Sequence, residues 1–346
     1  GSILYMGGGF ITSNSYTVNY ITKSNTQIVA YNTNKFGTGL NSTCYTITFI
    51  SSIIYVAGDF TSVNGNAWNR IAAYQTTTNT WSNPFGTGLN NTCYCSTSIG
   101  SILYVGGAFT SVNGNGWNRI AAFNTSTSTW SNPFGTGFPD IAPTACYTLT
   151  SIGSMLYAGG QFVTVNNVGG YGYVAAFNTI TSTWSYPFGS AGTTGINNRC
   201  YTLYALGSIL YVGGDFTFAN FSAVNRIAAF NTTTSTWSNP FGTGLNNICR
   251  TITSVGSILY VGGDFTSVNG NSWNRIASFD TTTSTWLNSF GTGLNNTCYT
   301  LVSIGSIIYI GGSFTSVNSN SWNYITSYDT TTSTLINIFG NGLNST

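Results

Sequence analysis

The stretch Ser257–Thr297, SILYVGGDFTSVNGNSWNRIASFDTTTSTWLNSFGTGLNNT, decides the fold. Nearly the same words recur along all 346 residues. The tyrosine near the start of each copy falls at Tyr5, Tyr55, Tyr104, Tyr157, Tyr211, Tyr260 and Tyr309, at intervals of 50, 49, 53, 54, 49 and 49 residues. A fixed period of this size marks a solenoid, a propeller or an array. The seven copies begin near residues 1, 51, 101, 154, 208, 257 and 306. Each reads as four strands: Cys298–Ile304, Ile307–Ile310, then, in the preceding copy, Arg275–Phe279 and Trp286–Phe290. Gly305-Ser306, Asn269-Gly270-Asn271 and Thr281–Ser284 separate them as turns, since Asn and Gly tolerate positive φ. No segment carries a sustained helical period, and β-branched and aromatic residues dominate.

Three motifs carry a family likeness: Tyr260-Val-Gly-Gly263, the aromatic–Asp pair Phe279-Asp280, and Thr283-Ser-Thr-Trp286. Together they resemble the kelch repeat. Gly262-Gly-Asp-Phe-Thr-Ser267 and the tail Phe290-Gly-Thr-Gly-Leu-Asn295 also resemble the Rax2-like and delta-60-like propeller repeats of secreted and surface proteins. The likeness runs through the whole chain. With the repeat count, it implies an all-β, seven-bladed β-propeller of four-stranded antiparallel blades, the first incomplete. The ring is expected to close as one domain over residues 1–346, Cys-containing strands nearest the axis. About function it implies little, because propellers host many unrelated activities.

Composition narrows the class. Only 4% of residues are charged, with 42 Gly, 22 Tyr, 22 Phe, 9 Trp, no His and no Glu. A net charge of +2 is too weak and scattered for a nucleic-acid footprint, so no nucleic-acid partner is expected. No apolar run reaches the ~18 residues of a membrane helix, so no membrane insertion is expected. Solubility must rest on Asn, Thr and Ser, with attached sugar as a candidate addition, and so low a charge points to an extracellular or surface-exposed location such as a cell coat or virion. Enzyme readings fare badly. General acid–base work near neutral pH calls on His or a tuned Glu, and a Ser-His-Asp triad cannot be assembled. No cofactor and no metal site is expected.

The copies differ in places. The first replaces the Trp region with Asn34-Lys35-Phe36. Phe138–Pro143 is an insertion between the third and fourth copies. The fourth has long loops at Asn166–Tyr171 and Ser190–Gly195. In kelch-like blades the loop between the second and third strands shares a face with the inter-blade loop, and every length variation falls in those two classes. That face is the place to look for binding. Its aromatic candidates are Trp68, Trp117, Tyr171, Trp273 and Trp322, where indoles beside Asn amides would suit a sugar ring; packing between blades is the competing reading. Trp81, Trp130, Trp184, Trp237 and Trp286 match the structural Trp of the kelch repeat.

Six of the seven cysteines, Cys44, Cys93, Cys146, Cys200, Cys249 and Cys298, hold one repeat position, with Cys95 two residues after Cys93. They read as small buried hydrophobes, the six equivalent positions too far apart between neighbouring blades for disulfides. Asp59, Asp215 and Asp264 each have an Arg eleven residues on, Arg70, Arg226 and Arg275, and a hairpin would pair them. Where the Asp is replaced by Gly9, Gln161 or Ser313, the later residue is Tyr20, Tyr173 or Tyr324; Ala108 with Arg119 breaks the rule. Arg199 and Arg250, beside Cys200 and Cys249, are candidates for an anion contact at the channel, against packing as the plainer alternative.

Sequons occur at Asn41, Asn90, Asn124, Asn220, Asn231, Asn295 and Asn344, four of them (Asn41, Asn90, Asn295, Asn344) at one inter-blade position. Asn-Asn-Thr is also a good turn. Residues 1–5 match a second strand, so the first copy has no innermost strand, and the pattern after Thr346 would resume with Cys. The bare edge is expected to be covered, by a terminal segment in preference to a strand lent by a neighbour, since the chain has none to spare. Two functions survive. The first is a non-enzymatic structural or assembly module of an exterior surface, possibly a fibre subunit, that self-associates or joins other surface proteins. The second is a propeller that binds glycan or protein through its variable loops.

Overall fold

The computed structural model describes residues 3–9, 12–13, 16–17, 21–25, 28–31, 36–139, 143–190, 194–339 and 343–344. They form a β-propeller of repeated four-stranded blades, in two compact units, Ile3–Pro187 and Phe188–Thr346.

In the first unit the first repeat supplies β1 (Ile3–Gly7), the hairpin β2 (Thr12–Ser13) and β3 (Tyr16–Thr17), then β4 (Ile21–Asn25) and β5 (Ile28–Tyr31). One blade is β6 (Cys44–Ile50), β7 (Ile53–Gly58), β8 (Ile71–Gln75) and β9 (Thr80–Ser82). The next is β10 (Cys93–Ile99), β11 (Ile102–Gly107), β12 (Ile120–Asn124) and β13 (Thr129–Ser131). The third is β14 (Ala145–Ile152) and β15 (Met155–Gln161), a small hairpin β16 (Thr164–Val165) and β17 (Val168–Gly169), then β18 (Val174–Asn178) and β19 (Thr183–Ser185).

The second unit opens with β20 (Cys200–Leu206) and β21 (Ile209–Gly214), the hairpin β22 (Phe218–Ala219) and β23 (Ser222–Ala223), then β24 (Ile227–Asn231) and β25 (Thr236–Ser238). Its other blades are β26 (Cys249–Val255), β27 (Ile258–Gly263), β28 (Ile276–Asp280) and β29 (Thr285–Leu287), and β30 (Cys298–Ile304), β31 (Ile307–Gly312), β32 (Ile325–Asp329) and β33 (Thr334–Ile336).

The expectation of seven blades is corrected here. Among the described residues there are six four-stranded blades, and the first repeat forms a three-stranded sheet in the order β1-β4-β5. The reason is local. Each four-stranded blade places a Cys-bearing strand along the Tyr-x-Gly-Gly type of strand, and no such strand lies along β1 among the described residues. Asn34 and Lys35, which replace the Trp region, lie outside the described residues.

Within a blade the register is constant: Cys44 pairs with Gly58 and Thr46 with Ala57, leaving Tyr45 as a bulge. The same one-residue shift recurs after Cys93, Cys146, Cys200, Cys249 and Cys298. A bulge turns a side chain away from the ladder, so one position of every Cys strand is set apart from packing. The second strand is nearly all buried, which fits an apolar run with both faces covered.

The double glycine has a steric cause. A Cβ on Gly262 would lie 2.5 Å from Cys298 Sγ of the next blade, and one on Gly263 would lie 2.0 Å from the Ile248 carbonyl oxygen. Between blades, Phe241 packs on Tyr211 (6.2 Å between centroids), Phe279 (4.6 Å) and Trp286 (5.8 Å), while Trp286 Nε1 donates to Phe241 O at 3.0 Å. Trp81, Trp130, Trp184 and Trp237 make the same bond to Phe36, Phe85, Phe134 and Phe188. The motif tryptophans are therefore inter-blade latches.

Candidate functional site

The variable face is built where two loops meet. Leu40, Leu89, Leu245 and Leu294 of the inter-blade loops bridge Val63, Val112, Val268 and Val317 of the second-to-third-strand loops. An asparagine clamps each junction. Asn246 Oδ1 accepts from Thr266 N (2.8 Å) and Ser267 N (3.0 Å), and its Nδ2 donates to Thr266 Oγ1 (2.9 Å). Asn41, Asn90, Asn197 and Asn295 repeat this bracket. Neither Asn197 nor Asn246 begins a sequon. The bracket thus accounts for asparagine at this position whether or not a sequon is present.

The other sequons sit elsewhere. Asn124 and Asn231 accept from backbone N–H groups two and three residues on, closing the outer turn. Asn220 is exposed in the turn between β22 and β23, with φ near +48°, and Asn344 is exposed.

Trp68, Trp117, Trp273 and Trp322 are half-buried, and each packs against the aliphatic and aromatic core beside it. Tyr171 is buried and meets Tyr186 edge-on at 5.1 Å. Within each unit these rings belong to separate core clusters.

The charged residues depart from the expected pairing. Asp59–Arg70 forms as expected, at 2.5 Å, and Thr92 Oγ1 also donates to Asp59 at 2.9 Å. Asp264 instead takes Arg250: Nε donates at 2.9 and 3.0 Å and Nη2 at 2.6 Å, with Thr297 Oγ1 at 2.8 Å. Arg275 donates to the Asp264 backbone carbonyl. Arg275, at φ near +65°, reaches the chain beside the aspartate, whereas Arg250 on the neighbouring strand meets the carboxylate fork-on. Asp215 and Arg226 form no ion pair; Arg226 Nη1 donates to Phe216 O at 3.2 Å, leaving Asp215 Oδ1 and Arg226 Nε buried without partners. Tyr20, one of the tyrosines in the substitution rule, lies outside the described residues.

These environments pull the two carboxyls apart. Burial pushes both up, but hydrogen bonds from Arg250 and Thr297 and the Arg250 and Arg275 charges hold Asp264 below the usual carboxylate range. Burial prevails at Asp215 and raises it despite the charges of Arg199 and Arg226.

The two candidate anion ligands occupy different positions, Arg199 before its cysteine and Arg250 after. Arg199 Nη1 donates to Tyr201 Oη at 3.3 Å. Arg250 lies between the Tyr201 and Tyr299 rings, 5.7 and 5.4 Å from their centroids, with its charge answered by Asp264. It is a buttressed cation in a folded network.

The sequence reading missed the bulge position itself. In the first unit Tyr45, Tyr94 and Tyr147 form a row, with centroids 5.5 and 5.6 Å apart. The repeated Cys-Tyr was the available signal, but only the bulge register shows that the tyrosine leaves the ladder. The thiols are inert by comparison. All seven are free and buried, burial pushes Cys44 up to about 12, and across blades Cys95 Sγ lies 3.9 Å from Cys146 Sγ. In the second unit a shallow cleft of about 390 Å³ is lined by Arg226, Thr243, Asn246 and Ser267 among others. No group of three metal-ligating side chains occurs among the described residues, and no helix there is long and apolar enough to cross a membrane.

No protein-family model matches the sequence, and no curated protein matches it. Among solved structures, the chain is similar to the computationally designed Ika8 protein, with a TM-score of 0.56 and 11% identity over 95% of this chain and 86% of that one. It is also similar to a chain in the crystal structure of the Mitotic Checkpoint Complex, with a TM-score of 0.54 and 12% identity over 97% of this chain and 79% of that one. At such identities the likeness speaks for the propeller fold alone.

Proposed function

We propose that this chain is a non-enzymatic structural and assembly module of an exterior surface, built on kelch-like, Rax2-like repeats. One observation carries the reading: the variable-loop face is engaged with itself. Its repeat asparagines are bracketed to the adjacent loop, and its four loop tryptophans are packed on the core. A lectin-like face would present those groups to a ligand. Low charge and a surface of Asn, Thr and Ser support an exterior setting.

Two measurements test it. Antibody labelling of intact source cells or particles is expected to decorate their surface, and labelling only after permeabilisation would overturn the exterior assignment. On a glycan array the protein is expected to show no specific signal. A specific signal abolished by Trp273→Ala at unchanged folding would replace the assembly reading with sugar binding.

A further inference from the structure

We propose that Cys95 and Cys146 form a disulfide that staples two consecutive blades of the first unit. The inference goes beyond the assembly reading and stands on geometry within that unit. Two residues after the repeat cysteine, five Cys strands carry threonine: Thr46, Thr148, Thr202, Thr251 and Thr300. Of the six, only β10 carries a second cysteine there. The position faces the following blade. Thr46 Oγ1 accepts from Ser96 N at 3.1 Å, and in the second unit Thr251 Oγ1 accepts from Leu301 N at 3.1 Å. Cys95 turns the same way. Its Sγ donates to Cys146 O at 3.7 Å and lies 3.9 Å from Cys146 Sγ.

The glycine beside the pair makes room for it. Gly106 is the cross-strand partner of Cys95, and a Cβ built on it would lie 2.7 Å from each of the two sulfurs. At Gly213 and Gly262 the same Cβ would meet one sulfur and one threonine methyl: Cys249 with Thr202, and Cys298 with Thr251. A thiol in place of that methyl therefore sets two sulfurs over one site that has no side chain of its own. Each sulfur needs to move by about 1 Å to reach the disulfide bond length of about 2 Å. Gly106 offers no Cβ to obstruct that movement.

The oxidant is a small-molecule disulfide such as oxidised glutathione. The Cys95 thiolate attacks one of its sulfurs, and one reduced thiol leaves. The Cys146 thiolate then attacks the Cys95 sulfur of the mixed disulfide, which forms the cross-link and releases the second reduced thiol. Two protein thiols thus give up two electrons and two protons, and the two released thiols carry them away. Cys95 reacts first, being 8% exposed against 0% for Cys146. Burial pushes the Cys95 thiol well above its ordinary value, so attack belongs to folding or local opening, before the blades close over the pair. An exterior surface is a setting in which such a bond persists.

The test denatures the intact chain in reductant and refolds it in a buffer of oxidised and reduced glutathione. A mass lower by two hydrogens is expected, with a peptide map joining Cys95 to Cys146. Denaturation should then expose five thiols, where the reduced protein exposes seven. Native reduced protein equilibrated for days in the same buffer should reach the same state through local opening. The linked form should melt roughly 3–6 °C above the reduced form, because the bond closes a long loop in the unfolded chain. Cys95→Thr installs the residue of the other five Cys strands. It should fold, keep all its thiols in the same buffer and show no gain in melting temperature. Seven thiols in the refolded native protein, a bond between any other pair, or a lasting glutathione adduct on Cys95 would overturn the proposal. So would an equal gain in Cys95→Thr. None of these results bears on surface labelling, so the assembly reading stands or falls separately.

Discussion

At the residue scale, two aspartates at one repeat position experience opposite environments. Asp264 is held below its ordinary range in the fold, so its contribution is fully present above the unfolded carboxylate value of about 3.9 and is lost as pH falls through the lower folded value. Asp264→Asn should cost about 1.5–3 kcal/mol at pH 7, the range for hydrogen bonds to charged groups, with the gap from wild type closing below about pH 4. Asp215 is raised in the fold, so its ionisation opposes folding as pH climbs above the unfolded value. Asp215→Asn should therefore melt above wild type at pH 7 and level with it in acid. Thermal melts across pH check both signs. The residue pattern promised three equivalent ion pairs. It could not reveal that Arg250, at a bulge on the adjacent strand, would compete for Asp264, because that depends on where the bulge sends the side chain.

At the scale of elements, the latch and the double glycine hold the blades together. Trp286→Phe keeps an aromatic ring but removes the bond to Phe241 O, and should cost about 1 kcal/mol in urea unfolding. Gly263→Ala should cost more, on the order of 2–3 kcal/mol, because a Cβ there meets backbone rather than a flexible side chain. Equal effects of the two changes would contradict this packing account. Much of this level was legible. The Gly-Ser and Asn-Gly turns, the four strands per blade and the structural Trp all follow from local chemistry that recurs from repeat to repeat. The Trp of Asn-Ser-Trp273-Asn was ambiguous for a physical reason: an indole beside amides suits a sugar ring and an inter-loop core equally, and only its half-buried packing separates the two.

At the scale of the molecule, a count of seven repeats did not translate into seven equal blades. The first repeat has its own β1, β4 and β5, but a blade also needs a Cys strand along its inner edge, and a period counted on tyrosines does not see that strand. The thiols extend the point to chemistry. With every cysteine buried, a thiol reagent should modify none of the seven in the native protein and all seven after denaturation. The central claim, six four-stranded blades and a three-stranded sheet in which β1 pairs only with β4 among the described residues, is tested most directly by hydrogen–deuterium exchange resolved to single strands. Ile53–Gly58, paired on both sides, should exchange slowly, and Ile3–Gly7, paired on one side, at least tenfold faster, in the range of local rather than global opening. Equal protection of Ile3–Gly7 and Ile53–Gly58 in the isolated protein would contradict it.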